Sequence, residues 1–213
     1  NSPLLWLCLL TALSFTSCED TKMTEPHVYS IPFKPIYDSV SRLFEQNRID
    51  QGLHYLDSAT RHISQLTVAD KFRIYGFHYV ANNKIKHDNK TALLYADSML
   101  SVLEKQPNRQ SYLPYYAEAS FAKGDALFEL GKYTDAFNSY YQGYLTGKND
   151  FNNCTLSDYT YRMGMITYKQ GNFKSSASYF KESFDQCASC KEEFTTFFRQ
   201  QEVLDNIALC YRN

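Results

Sequence analysis

A net charge of −1, from 22 basic and 23 acidic side chains spread along 213 residues, argues against nucleic acid as the partner of this chain. Hydrophobic residues make up 44% of the chain, which is enough to bury one sizeable core. Aromatic residues are unusually many, and the 18 Tyr and 15 Phe either fill that core or line a groove that binds a peptide.

The first eighteen residues have the pattern of an export signal. Their apolar run of roughly ten residues is too short to cross a bilayer, which takes about 20. Residues 15–18, Phe-Thr-Ser-Cys, resemble the cleavage site of bacterial lipoproteins, and the resemblance implies that Cys18 carries the lipid. Ordinary signal cleavage and an uncleaved anchor are the alternatives. All three predict an extracytoplasmic protein, and a lipid anchor, an uncleaved signal or a transmembrane helix beyond residue 213 would associate it with a membrane.

Residues 19–35 contain three prolines and no helical period, which predicts a flexible tether. The folded domain is therefore expected to occupy residues 36–213. Because the chain begins without Met and stops at Asn213 within a helical pattern, we expect it to be part of a longer protein.

Apolar residues at helical spacing predict a first helix from Ile36 and a second from Ile49. Thr67, followed three residues later by Asp70, predicts a capped start for a third helix. Asn89 is expected to cap the fourth helix. These four helices would form two antiparallel hairpins.

Two stretches that lie forty residues apart, 124–144 and 164–184, share the spacing of their glycines, small residues and aromatic residues. A glycine in the middle of a helix costs about 1 kcal/mol relative to alanine, so the first glycine of each stretch predicts a close helix crossing. The second glycine predicts a helix end. The aromatic residues then open the next helix and fill the space between the two helices. The matched pairs are Gly124 and Gly164, Gly131 and Gly171, Tyr133 and Phe173, Ala136 and Ser176, and Tyr140 and Phe180.

These matched positions resemble the tetratricopeptide repeat (TPR), a helical hairpin with small, glycine and aromatic residues at the same offsets. The resemblance implies an all-α solenoid of stacked hairpins in a right-handed superhelix. The family repeat is about 34 residues long, so the period of forty predicts a longer loop between the hairpins at 145–157. A last helix, from about Ser189, resembles the first helix of a fifth repeat, with Ala208 at the crossing and Tyr211 as its aromatic residue.

Residues 110–213 are also similar to the extracytoplasmic TPR region of Gram-negative sensor histidine kinases. This resemblance implies a sensory input region that binds a protein or peptide ligand on its concave face, with catalysis elsewhere in the protein. The alternative is a stand-alone TPR lipoprotein that scaffolds an envelope complex. The chain carries no catalytic motif, so an enzyme within it is not expected.

The cysteines beyond the signal segment offer a structural disulfide. In an exported protein, Cys154 is expected to pair with Cys187 or Cys190, because both ends of the fourth hairpin lie on the same side of the stack. Free thiols, a redox pair and a zinc site are the alternatives. Ser189 and Glu192 form a capping box that would place Cys190 in the first turn of a helix. No metal or cofactor is predicted, because the histidines form no ligand cluster; they are His27, His54, His62, His78 and His87.

Overall fold

The computed structural model describes residues 28–188, 190 and 193–212, and of residues 193–198 it describes the backbone alone. These residues form helices joined by short turns, with no strand in the part described. The α-helices are α1 (Lys34–Glu45), α2 (Ile49–Thr60), α3 (Val68–Val80), α4 (Asn89–Glu104), α5 (Leu113–Glu129), α6 (Tyr133–Gly147), α7 (Asn153–Lys169), α8 (Phe173–Cys187) and α9 (Glu193–Arg212).

Consecutive helices pack as hairpins, α1 on α2, α3 on α4, α5 on α6 and α7 on α8, and α9 packs on α8. Further contacts of α4 with α5 and of α6 with α7 join one hairpin to the next. The buried side chains accordingly form a row of small clusters along the stack. The predicted all-α solenoid of helical hairpins is confirmed.

The predicted tether is too long at its C-terminal end. The Phe33 side chain is fully buried, and α1 begins at Lys34. The backbone N–H of Ser30 donates to Oδ1 of Asp70 on α3, at 3.0 Å. Residues 28–35 therefore belong to the folded domain, because an apolar ring and a charged cap hold them there. The predicted signal segment with Cys18, and the tether as far as residue 27, lie outside the described residues.

Of the predicted helix caps at Thr67 and Asn89, the first is confirmed and the second is displaced by one residue. The N–H of Asp70 donates to the Thr67 hydroxyl at 3.1 Å, and the N–H of Thr67 donates to the Asp70 carboxylate at 2.9 Å. At α4 the cap is Asp88, whose carboxylate accepts the N–H of Thr91 at 3.1 Å. Asn89 is instead the first helical residue, so its side chain cannot reach that N–H.

The glycines at 131 and 171 each follow a helix end, with φ of +72° and +76°. Beyond them, the N–H of Lys132 donates to the carbonyl of Leu127, and the N–H of Asn172 donates to that of Thr167, both at 2.9 Å. This pattern satisfies helix-end carbonyls and requires a left-handed residue that glycine supplies cheaply. The rings that flank each turn also meet, as Phe128 with Tyr133 and Tyr168 with Phe173.

The other two repeated glycines lie at helix crossings. A Cβ on Gly124 would lie 2.7 Å from the Tyr140 ring, and one on Gly164 would lie 2.8 Å from the Phe180 ring. Both rings are fully buried. Beside them, Ala136 and Ser176 are also fully buried, and the Ser176 hydroxyl donates to the Gly164 carbonyl at 2.8 Å.

The crossing predicted at Ala208 of α9 needs a partner helix that is not among the described residues, so it stays a prediction. Among the side chains of α9 that the structure describes, Val203 and Cys210 are buried, and the Cys210 thiol donates to the Ser176 hydroxyl at 3.3 Å. Ala208 is exposed, and 81% of the Tyr211 side chain is exposed. Among the described residues no second helix crosses α9 at Ala208.

Gly124→Ala is expected to lower the free energy of unfolding by about 1–3 kcal/mol, because the added methyl group overpacks the core against a ring that cannot move aside. Gly76→Ala on α3 is the matched control, since a Cβ there meets nothing within 4 Å. That change should raise stability by up to about 1 kcal/mol through helix propensity. Urea unfolding followed by circular dichroism measures both. Equal stabilisation by the two substitutions would contradict the crossing.

Candidate binding groove

The first helices of the four hairpins, α1, α3, α5 and α7, line a groove of about 620 Å³. Most of its lining is apolar, and that part consists largely of Tyr37, Phe44, Phe77, Val80, Pro114, Phe121, Phe151 and Tyr159. A groove of this size, with an apolar lining and a few polar groups, is typical of a binding site. We call this site the groove.

The spacing of residues along each helix explains the lining. On α5 the lining residues are Pro114, Glu118, Phe121 and Asp125, which recur at intervals of three and four and so share one helix face. The adjoining face of α5 carries Gly124 and packs on α6. The second helix of the hairpin thus covers one face and leaves the other to the groove.

The aromatic walls of the groove form two groups. At one end, Phe77 of α3 contacts Phe44 and Tyr37 of α1, with ring centroids 5.0 and 5.6 Å apart. At the other end, Phe121 of α5 contacts Tyr159 of α7 edge to face at 4.9 Å. The Tyr159 hydroxyl donates to the carbonyl of Ala117 at 2.8 Å, which fixes its ring. The walls are therefore built by neighbouring hairpins together.

A buried carboxylate lies between the two aromatic groups. The Asp125 side chain is 6% exposed and accepts a hydrogen bond from the Lys84 ammonium at 2.7 Å. The Arg162 Nε lies 3.4 Å from the same carboxylate, and the Tyr140 hydroxyl donates to it. Burial, and then the Asp125 charge, raise the pKa of Tyr140, so this hydroxyl keeps its proton. Asp125 joins three successive hairpins at the groove floor.

Two more ion pairs bridge consecutive first helices. Arg73 of α3 pairs with Glu118 of α5 at 2.5 Å, and Arg199 of α9 pairs with Asp158 of α7 at 2.6 Å. Arg73 also donates to the hydroxyl of Tyr29 at 3.1 Å, and burial raises the pKa of that tyrosine to about 12. Burial raises the pKa of Asp158 as well, against the opposing effect of Arg199. Each of these charges already has a partner of opposite sign.

The predicted cysteine and histidine sites lie away from the groove. A disulfide joins Cys154, in the first turn of α7, to Cys190, with the Cα atoms 5.5 Å apart. Cys187 is a buried thiol at the end of α8, and burial raises its pKa. The predicted capping box of Ser189 and Glu192 lies outside the described residues.

The histidines of the described part do not converge. The His78 ring stacks on Tyr95, and its Nε2 lies 2.9 Å from the Asp57 carboxylate. His54, His62 and His87 are exposed, and His27 lies outside the described residues. No group of three His, Cys, Asp or Glu side chains able to hold a metal occurs within the described residues. No helix there is long and apolar enough to cross a membrane.

Sequence reasoning expected a concave binding face but named none of its residues. The sequence does carry a signal for this face on α5, where a proline, a phenylalanine and two carboxylates recur at helical spacing. They are Pro114, Glu118, Phe121 and Asp125. Lys84 lies in a π-helical turn, Ala81–Ile85, that extends α3. That extension brings its ammonium to Asp125, 41 residues later in the chain.

Comparison by sequence finds neither a matching family model nor a matching curated protein. Comparison of structures finds MamA, a protein of TPR fold. A structure of MamA 41-end from Desulfovibrio magneticus RS-1 superposes with a TM-score of 0.54, covering 87% of this chain and 96% of MamA, at 15% identity. The MamA RS-1 ArsTM double mutant gives a TM-score of 0.53 over 84% of this chain and 96% of its own, at 14% identity. Identity this low shows the shared TPR-like fold alone.

Asp125→Ala is expected to lower the free energy of unfolding by about 1–3 kcal/mol, because the buried Tyr140 hydroxyl loses its acceptor. In Tyr140→Phe that hydroxyl is absent, so adding Asp125→Ala should cost less, with a coupling energy of about 1 kcal/mol or more in a double-mutant cycle. Urea unfolding of the four proteins measures the cycle. Lys84→Ala is the control, and since its ammonium is half exposed it should cost less than about 1 kcal/mol. Strict additivity of Asp125→Ala and Tyr140→Phe would show that the hydrogen bond contributes nothing.

Proposed function

We propose that this chain is a protein-interaction scaffold that binds an extended peptide segment of a partner protein in the groove. The observation that carries the proposal is the continuous apolar lining contributed by the first helices of four successive hairpins. Neighbouring helices lie about 8–10 Å apart, so four of them span roughly 25–30 Å. An extended segment of about eight residues covers that distance.

The ion pairs between the first helices suggest how binding in the groove would change the structure at the C-terminal end of the stack. The pairs Arg73–Glu118, Lys84–Asp125–Arg162 and Asp158–Arg199 connect the first helices in turn from α3 to α9. A segment that wedges between the aromatic walls changes the spacing of the first helices, and these pairs pass the change along the stack. Such coupling requires that the ligand prefer one spacing over another.

This coupling is the physical basis for the finer proposal that the chain is the extracytoplasmic input region of a sensor histidine kinase. Its support is the resemblance of residues 110–213 to such regions and the position of α9 at the end of the row of ion pairs. Sequence beyond residue 213 tests it. A membrane-spanning segment followed by histidine-kinase motifs supports the sensor, and a stop codon after one or two further repeats contradicts it.

The second candidate is a stand-alone lipoprotein that scaffolds an envelope complex. The motif Phe-Thr-Ser-Cys at 15–18 favours it, with Cys18 as the lipidated residue. Metabolic labelling with palmitate tests this anchor. Label in the wild-type protein and none in Cys18→Ala supports the lipoprotein. A wild-type protein that takes up no label, and that stays in the membrane to the same extent as Cys18→Ala, contradicts it.

The disulfide between Cys154 and Cys190 supports an extracytoplasmic location, because disulfides persist in oxidising compartments. In protein isolated without reductant and then denatured, Cys154 and Cys190 should resist alkylation because their sulfurs are bonded to each other. The thiols of Cys187 and Cys210 should react. Alkylation of both Cys154 and Cys190 in protein trapped in intact cells would contradict this location.

Peptide binding in the groove is tested by a matched pair of surface substitutions. Val80 lines the groove on α3 and is 38% exposed, whereas Leu94 on α4 lies outside the groove and is 67% exposed. Peptides are selected on the wild-type protein from a random library, and their Kd values are measured by fluorescence anisotropy. Val80→Glu should weaken binding about tenfold or more, because the peptide would desolvate the new carboxylate.

Leu94→Glu should leave Kd within about twofold, because Leu94 does not line the groove and its side chain points largely into solvent. Equal weakening by Val80→Glu and Leu94→Glu, or failure of the library to yield any peptide whose binding depends on Val80, would contradict binding in the groove. Urea unfolding of both variants shows that the fold is retained.

A further inference from the structure

Gly76 stands out among the helical glycines because no packing contact explains it. A Cβ on Gly124, Gly143 or Gly164 would meet a neighbouring ring at 2.6–2.8 Å, whereas one on Gly76 would meet nothing within 4 Å. Gly76 lies well inside α3, where glycine costs about 1 kcal/mol relative to alanine. It also lines the groove. The missing side chain therefore leaves open space in the groove wall, which we call the bay.

The residues around the bay are aromatic and aliphatic. Phe77 follows Gly76 directly and holds Phe44 and Tyr37 of α1 against α3 through its ring contacts. Val80 lies one helical turn beyond Gly76 on the same face, and it also lines the groove. An aromatic side chain placed here gains edge-to-face or offset contacts in addition to the burial of its area.

The charges near the bay disfavour a charged occupant. The Arg73 guanidinium is held by Glu118, and the Lys84 ammonium by Asp125, which is itself almost fully buried. An incoming carboxylate would share its cation with a carboxylate that already pairs with it, and an incoming ammonium would share its carboxylate with a cation, so that like charges would lie close together. Either group would lose water without gaining a free counter-charge, which is costly.

We propose that the bay at Gly76 receives one uncharged aromatic side chain of the bound segment and so sets its register along the groove. The partner is therefore a protein with an extended, uncharged segment that contains a Phe or a side chain of similar size. This inference rests on the proposed peptide-binding function and adds the chemistry that the ligand must have.

The test uses capped eight-residue peptides of Ser and Val with one central Phe, and copies in which that Phe is Leu, Asp or Lys. Gly76→Leu fills the bay, and Gln142→Leu on the exposed surface of α6 adds the same side chain outside the groove. Binding is followed by chemical-shift changes on titration. Gly76→Leu should fold at least as stably as the wild-type protein, because leucine is the better helix former and a Cβ at this position meets nothing within 4 Å.

The wild-type protein and Gln142→Leu should bind the Phe peptide about fivefold more tightly than the Leu peptide and more than about tenfold more tightly than the Asp or Lys peptide. Gly76→Leu should abolish the preference for Phe and leave binding of the Leu peptide within about threefold. The proposal would be overturned if Gly76→Leu bound the Phe peptide as tightly as the wild-type protein does. It would also be overturned if the wild-type protein bound the Asp or Lys peptide as tightly as the Phe peptide.

The outcomes separate the bay from the groove. If all four peptides bind alike and Val80→Glu weakens each of them, the groove function stands and the bay is wrong. If none of the peptides binds in a way that depends on Val80, and the random library also yields none, the groove function fails together with the bay.

Discussion

The architecture depends on one contact made twice, a buried aromatic ring of a second helix lying on a glycine of the first. Tyr140 covers Gly124, and Phe180 covers Gly164, at distances that leave no room for a methyl group. Each contact brings the two helices of a hairpin close together and fixes where they cross. Since the crossings recur forty residues apart, the hairpins have the same shape and stack in one direction.

The groove follows from the same packing. Because the second helices cover one face of the first helices, the faces that stay uncovered line up along the stack and line the groove with aromatic and charged residues. The ring on Gly124 has a further role, since the Tyr140 hydroxyl reaches through to Asp125 at the groove floor. In the fourth hairpin the matching ring is Phe180, which has no hydroxyl. The residue forty positions after Asp125 is Met165, which has no carboxylate. The polar junction is therefore specific to the third hairpin.

The fold was predictable from the sequence because its determinants are local and repeated. A glycine at a helix end or a crossing and an aromatic residue nine or sixteen positions after the crossing glycine can be read from spacing alone. The groove was not predictable in this way, because Lys84, Asp125 and Arg162 meet only once three hairpins are stacked. Phe33 was assigned to a tether on account of its neighbouring prolines, whereas tertiary burial of its ring decides its place. The prediction placed the cap of α4 at Asn89, one residue after Asp88, because Asn and Asp cap helices about equally well and the sequence alone does not separate them.

The most direct test of the ring-on-glycine contact is a double-mutant cycle in the fourth hairpin. Gly164→Ala alone should destabilise the protein, and so should Phe180→Leu alone, which trades a buried ring for a smaller side chain. If the ring is what excludes the methyl group, Gly164→Ala should cost little or nothing in the presence of Phe180→Leu, and urea unfolding of the four proteins should be strongly non-additive. Additive free energies of unfolding, with the same cost of Gly164→Ala in both backgrounds, would contradict the account.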